Sequence, residues 1–205
     1  MSCRLGIACG ATILLAAACG GGSATTPTPT ALHAEVGDPG GDALADPSVT
    51  VSPDLVHATV DVSAGNIAFA IQFAPGTLDR STSRLTIQLD TDQNPSTGIR
   101  TTNGVGVEYA VDMWAPANQA SILKAVPTAA CTAATADPCY VQMGAAPLTV
   151  SADGMAVTMP LSLIGSADGR LSFRVLAYAS KPGGVVPTVT DDLLPDMALA
   201  PGHVP

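Results

Sequence analysis

The sequence predicts an all-β domain: an antiparallel, jelly-roll-like β-sandwich of roughly nine or ten short strands. Three observations carry that expectation. Apolar side chains recur at every second position in one segment after another, the period of a strand with one buried face. The 20 glycines and 17 prolines punctuate those segments, as short strands joined by turns require. No stretch carries a clear amphipathic helical period.

The N-terminus reads as an address. Residues 1–4 carry one positive charge, Arg4, and residues 5–18 form an apolar run ending in LLAAACGGGS. Such a run is too short to span a bilayer as a helix and suits a secretory signal. Ala16, Ala17, Ala18 and Cys19 resemble a bacterial lipobox, which implies cleavage after residue 18 and a lipid on Cys19. Ala16 stands where such boxes usually carry leucine, and plain signal-peptidase cleavage is the alternative. Gly20 after the cysteine, by resemblance to Gram-negative lipoproteins, permits sorting to the outer membrane. Residues 19–34, of which 20–30 are GGGSATTPTPT, read as a flexible tether. The folded domain is then expected over residues 35–205.

Residues 31–47 hold Asp38, Asp42 and Asp46 at every fourth position, but Pro39, Gly40 and Gly41 argue for a loop. Val49 and Val51 suggest a short strand that Pro53 closes. Val56, Ala58, Val60 and Val62 alternate with polar residues, Ala64-Gly65-Asn66 makes a tight turn, and Ile67, Phe69, Ile71 and Phe73 face inward, which together describe a hairpin. Leu85, Ile87 and Leu89 begin the segment that organises the domain. A polar loop with Asp90, Asp92, Asn94, Pro95, Gly98 and Gly104 follows, and Val107, Tyr109, Val111 and Met113 return. Residues 120–126, 140–143 and 148–150 read as further short strands. Met155, Val157, Met159 and Leu161 alternate, PLSLIG turns a corner, and Leu171, Phe173 and Val175 alternate with Ser172 and Arg174. The tail is Pro-rich and irregular.

A chain of 205 residues supports one domain with a real core. Apolar residues are 47% and aromatics 3%, so the core is aliphatic. The net charge of −9 disfavours nucleic acid and a surface docked on anionic lipid, since both need clustered Lys and Arg. It suits a soluble exterior or cation binding.

Of the five cysteines, Cys3 and Cys9 leave with the leader and Cys19 is the lipidation candidate. Cys131 and Cys139 form an even pair that an oxidising exterior would join as a disulfide. The chain-entropy account gives about 2.5 kcal/mol for so short a loop. A metal pair lacks further nearby ligands, and redox pairs prefer a two-residue spacer.

Asp90, Asp92 and Asn94 form a D-x-D-x-N run, whose oxygens can converge on Ca2+ as calcium loops do. Pro95 stands where such a loop needs glycine and Thr101 where it needs a bidentate Glu, so a site here requires remote ligands. Glu108, Asp112, the Asp38/Asp42 loop and Asp191, Asp192 or Asp196 are the candidates. The alternative is that these residues shape the turn by accepting backbone N–H groups. Trp114 can offer a sugar ring a flat apolar face, with Tyr140 and Tyr178 as further platforms, or it seals one end of the core. Tyr109 falls in the inward register. His33, His57 and His203 are not placed for a nucleophilic triad, and no GxSxG elbow is present. Met113, Met143, Met155 and Met159 read as packing rather than haem ligands. Carboxylate pairs carry no information on glycoside hydrolysis in a chain with 17 acids.

LDTDQNPSTG followed by VEYAVDM, then PLSLIG, LSFRVLAYAS and DDLLPDMAL, resembles secreted bacterial β-sandwiches of the DOMON and family 9 carbohydrate-binding module group. The resemblance covers about residues 35–199. It implies a sandwich; members of the group bind sugars, haem or calcium, or have no known ligand. The expectation is a non-enzymatic, lipid-anchored cell-envelope protein. It would present a calcium-stabilised binding or interaction module to a polysaccharide or another envelope protein, or serve as a carbohydrate-binding module.

Overall fold

The structure is a computed structural model. It describes residues 31–45, 49–102, 104–126, 139–179, 190–196 and 199–205. The leader, Cys19, the Gly/Ser/Thr/Pro tether up to residue 30, Asp46, Cys131 and most of the 129–139 loop lie outside the described residues.

The fold is all-β and antiparallel, as the alternation requires. The described strands are β1 (Leu32–Gly37), β2 (Leu55–Ser63), β3 (Asn66–Phe73), β4 (Ser83–Asp90), β5 (Ile99–Arg100), β6 (Gly106–Val107), β7 (Tyr109–Trp114), β8 (Gln119–Ala125), β9 (Tyr140–Val150), β10 (Gly154–Pro160), β11 (Leu171–Ala179), β12 (Asp192–Leu194) and β13 (Gly202–Val204). Their hydrogen-bonded order is β1-β2-β3-β10-β9-β8-β7-β4-β11-β12, with β13 also on β11; β5 and β6 pair separately. This is a nearly closed, sandwich-like sheet. β13 comes up against β1 and β12 against β2, so the two edges meet as an unladdered seam. The core lies inside, and Phe69 of β3 meets Phe173 of β11 edge to face across it, centroids 6.4 Å apart at 71°.

The hairpin of β2 and β3 closes through Ala64 (φ 47°) and Gly65 (φ 78°). Two successive positive φ values match the right-handed twist of the flanking strands. Ile67, Phe69, Ile71 and Phe73 are buried, as their alternation demands. In β2 the register slips between Leu55 and His57. That bulge buries Leu55 in place of Val56, a face switch that alternation alone does not reveal. β4 and β7 pair from Leu89–Tyr109 to Arg84–Trp114, the arrangement expected of the organising segment.

Four expectations need correction. Leu32, Ala34 and Val36 alternate within the presumed tether and loop and form β1 on β2, because they pack on the core edge. The sheet therefore begins before residue 35. Val49 and Val51 lie in bends, not a strand. The segments 140–143 and 148–150 are one strand: β9 pairs with β8 through Pro147, then with β10 from Leu148, and so carries the chain from one layer to the other. The tail adds β12 and β13. It does so over Arg174, which lies on the face away from Phe173 and is fully buried. Its guanidinium donates to the carbonyls of Pro195 (2.7 Å), Asp196 (2.8 Å) and Leu199 (2.8 Å).

Candidate metal centre

The D-x-D-x-N loop leaves β4 at Asp90 and returns through β6 to Glu108. Asp90, fully buried, accepts the Asn94 N–H at 2.8 Å on Oδ1 and the Gly106 N–H at 3.4 Å on Oδ2. Asp92 also accepts the Asn94 N–H, at 2.9 Å, and the Asn94 side chain accepts the Ser96 N–H at 3.1 Å. Glu108 Oε2 takes the Thr91 N–H at 2.9 Å. The Asp92 and Asn94 bonds are Asx-type turn bonds, the alternative the sequence left open, while those of Asp90 to Gly106 and Glu108 to Thr91 tie the two ends of the loop together. The chain folds back tightly because Gly98 (φ 60°) and Gly106 lack side chains. A Cβ on Gly106 would stand 2.6 Å from the Thr97 carbonyl oxygen and 2.7 Å from that of Asn94.

The turn also does what a cation loop must. Asp90, Asp92 and Glu108 each place a carboxylate oxygen within 4.8 Å of the others. Ligands on opposite sides of a calcium ion stand about 4.8 Å apart, since Ca–O distances centre near 2.4 Å. Burial, opposed by the Asn94 N–H, raises the Asp90 carboxyl above its ordinary range. Burial likewise raises Glu108, against the Thr97 hydroxyl and Thr91 N–H. The Thr97 hydroxyl lies 2.8–3.0 Å from both Asp92 oxygens, Glu108 Oε1 and the Asn94 carbonyl. It has one proton and so can satisfy only one of them at a time.

The remote ligands proposed for this loop divide. Glu108 joins it. Asp112 does not, because Arg84 grips it through two bonds of 2.6 and 2.7 Å. Asp38, Asp42, Asp192 and Asp196 cannot share its ion. Asp90 faces Ser172 near the start of β11, whereas Asp192 faces Ala177 near its end, about 17 Å along the strand. They gather instead around the seam, in two overlapping groups, Asp38–Asp42–Asp196 and Asp42–Asp54–Asp192, each within the same 4.8 Å. Burial, reinforced by the charges of Asp196, Asp192 and Asp42, pushes Asp38 up to about 7. Burial also pushes Asp192 up to about 6, although the Leu55 and Leu193 N–H groups (2.5 and 2.7 Å) favour its charge. Sequence reading missed Asp54. Its only signal was a carboxylate placed between Pro53 and the first apolar residue of a strand. Asp191 is buried and accepts the Ala179 N–H at 2.6 Å, which ties β11 to the tail.

Trp114 is 42% exposed at the end of β7, so it does not seal the core. Tyr109 is buried, with Lys124 Nζ 6.0 Å from its ring centre, while Tyr140 and Tyr178 are half-buried. Met113, Met155 and Met159 are core residues, and Met143 is exposed. His33 pairs with Asp61 at 2.7 Å and His57 approaches Glu35 at 3.8 Å, both on the β1–β2 pair, while His203 approaches Gln93 at 3.2 Å on β13. Cys139 is buried at the entry to β9. No protein-family model matches the chain, and neither a curated protein nor a solved structure does.

Proposed function

We propose that this is a non-enzymatic cell-envelope lipoprotein. Cys19 carries the lipid, a short tether gives reach, and the β-domain is a binding or interaction module that Ca2+ stabilises through Asp90, Asp92, Asn94 and Glu108. The single observation that carries the cation is the Thr97 hydroxyl, one donor among the oxygens of Asp92 and Glu108. A divalent ion would satisfy the lone pairs that one proton leaves, and would offset three neighbouring carboxylates. Asn94 supports the loop through its amide and side chain. The kinship with the DOMON and family 9 carbohydrate-binding module group belongs to this proposal, and so does a Cys131–Cys139 bridge. The bridge is checked by alkylating the protein with and without reductant and weighing the product.

Calcium addition to chelator-treated protein is expected to raise the melting temperature, and Asp90→Ala with Asp92→Ala to remove the part of the gain that this loop supplies. No gain at millimolar calcium rejects the site. Mass spectrometry of the membrane fraction should find the mature N-terminus at Cys19, with acyl chains.

The exposure of Trp114 favours a second reading, a carbohydrate-binding module in which its indole stacks on a sugar ring. A glycan array probed with wild type and Trp114→Ala tests it. Binding that survives the substitution, or no binding at all, removes this reading.

A further inference from the structure

We infer that the seam of the sheet holds a second divalent-cation site. Asp42, Asp54 and Asp192 are its ligands, Asp38 and Asp196 stand beside them, and calcium is the ion. It is independent of the Asp90 loop and acts as a clasp where the hydrogen-bond ladder stops.

The distinguishing observation is Asp54. It is 6% exposed, and its Oδ2 accepts the Gly41 N–H at 2.7 Å. Its Oδ1 is shut off from solvent and has no hydrogen-bond donor among the described residues. Buried carboxylate oxygens rarely go unsatisfied, and a bound ion is one of the few physical reasons for one. The surroundings are acidic: the other two members of its group are Asp42 and Asp192. Among the described residues no basic side chain forms an ion pair with any of the three. Arg174, the nearby cation, gives its terminal nitrogens to three backbone carbonyls. Its charge bears on Asp38 and Asp196.

The chemistry selects the ion. The groups offer carboxylate oxygen alone, with no imidazole or thiolate to favour zinc or copper. Their loops are irregular, which suits calcium's flexible coordination better than the strict octahedron of magnesium. Asp54 and Gly41 also line an open cleft of about 420 Å³ with Thr50, Ser52 and Thr77. The cleft lies beside the group rather than within it, since neither Asp42 nor Asp192 lines it. Asp42 follows β1, Asp54 precedes β2 and Asp192 opens β12. One ion would therefore bind both edges of the sheet together.

The test is isothermal titration of the chelator-treated full chain with calcium chloride at pH 7.5. Wild type, Asp54→Asn, Asp42→Asn and the Asp90→Ala/Asp92→Ala pair are compared. Asp42 is exposed, so its variant folds even if Asp54→Asn does not. The expected result is two ions per wild-type chain and one in Asp42→Asn and in Asp54→Asn. A single ion lost in Asp42→Asn but kept in the Asp90/Asp92 pair upholds the clasp and sinks the loop site. Calcium binding that Asp42→Asn leaves intact overturns the clasp, as does no binding to wild type.

Discussion

Around Asp90 the carboxylates accept backbone N–H groups that the turn itself supplies, and the chain could close this loop with no ion at all. Around Asp54 one oxygen has no donor among the described residues, and the carboxylates come from segments far apart in sequence: the connection between β1 and β2, β12 and the tail. The first cluster is made by local turn chemistry, and the second by tertiary folding that brings like charges together. A carboxylate that accepts N–H bonds stabilises the fold when charged. A buried one facing other acids destabilises it until a proton or a cation arrives. The two clusters should therefore answer opposite ways to the same kind of substitution.

The largest effect is expected where the seam's own positive charge is removed. Arg174→Met strips three carbonyls, that of Pro195 buried and those of Asp196 and Leu199 part-buried, of their donor and leaves Asp38 and Asp196 without their neighbouring cation. Losing one side of a buried charge arrangement costs about 3 kcal/mol or more. Urea melts in chelator should show that loss, and calcium should recover part of it by supplying another positive charge. A loss below 1 kcal/mol, comparable to an exposed ion pair, would mean that the tail is not held through Arg174.

Asp90→Ala comes next. It takes from the buried Gly106 N–H its Asp90 acceptor and leaves the Asn94 N–H to Asp92 alone, a cost of about 2 kcal/mol. Because the protein makes these bonds without an ion, this loss should already appear in chelator, and it should be larger in calcium, where the variant also loses the loop's ion. Asp54→Asn should go the other way. The amide oxygen can still accept the Gly41 N–H, while a neutral amide replaces a like charge beside Asp42 and Asp192. In chelator the variant should gain about 1 kcal/mol, and calcium should reverse the order by stabilising the wild type, with two ions, more than the variant, with one. If both variants destabilise equally in chelator, the contrast between the clusters fails.

Much of the contrast could be read from the chain itself. Alternation placed the β2–β3 hairpin, the β4–β7 pair and most core residues, because in a half-buried strand the side-chain period is the fold. The Asp90 loop was legible for the same local reason: D-x-D-x-N carries its own turn geometry. The seam was not. Leu32, Ala34 and Val36 alternate as plainly as β2 does, but the Gly- and Pro-rich context on either side concealed them. Arg174 read as an exposed partner of Ser172, since nothing local says that a tail some twenty residues on will cover that face. Asp54 gave only the faint signal of a carboxylate between Pro53 and a strand's first apolar residue, because its meaning lies in Asp192, more than a hundred residues away. Sequence period reports what neighbours along the chain decide, and the clasp depends on what neighbours in space decide.

The smallest expected effect concerns pH. Asp38 ordinarily titrates near 3.8, and in the fold it is pushed up to about 7 by burial and by Asp196, Asp192 and Asp42. Its protonated form is therefore the one the fold prefers. The stability this contributes is complete below pH 3.8 and is lost as pH rises toward 7 and through it. Asp192, pushed up to about 6, has the same sign over a narrower window. His33, raised by its bond to Asp61, also loses stability with rising pH, but it is common to every variant compared and cancels in their difference. In chelator, wild type should lose stability between about pH 4 and 7 relative to Asp38→Asn, which has no proton to release there. Arg174 beside Asp38 offsets part of the penalty, and solvent screening reduces it to about 0.5 kcal/mol. The readout is the difference between two melting-temperature curves across that window. With saturating calcium the difference should shrink, because an ion at Asp42 and Asp192 offsets the charges that hold the Asp38 proton. A difference that grows with calcium would place the ion away from the seam.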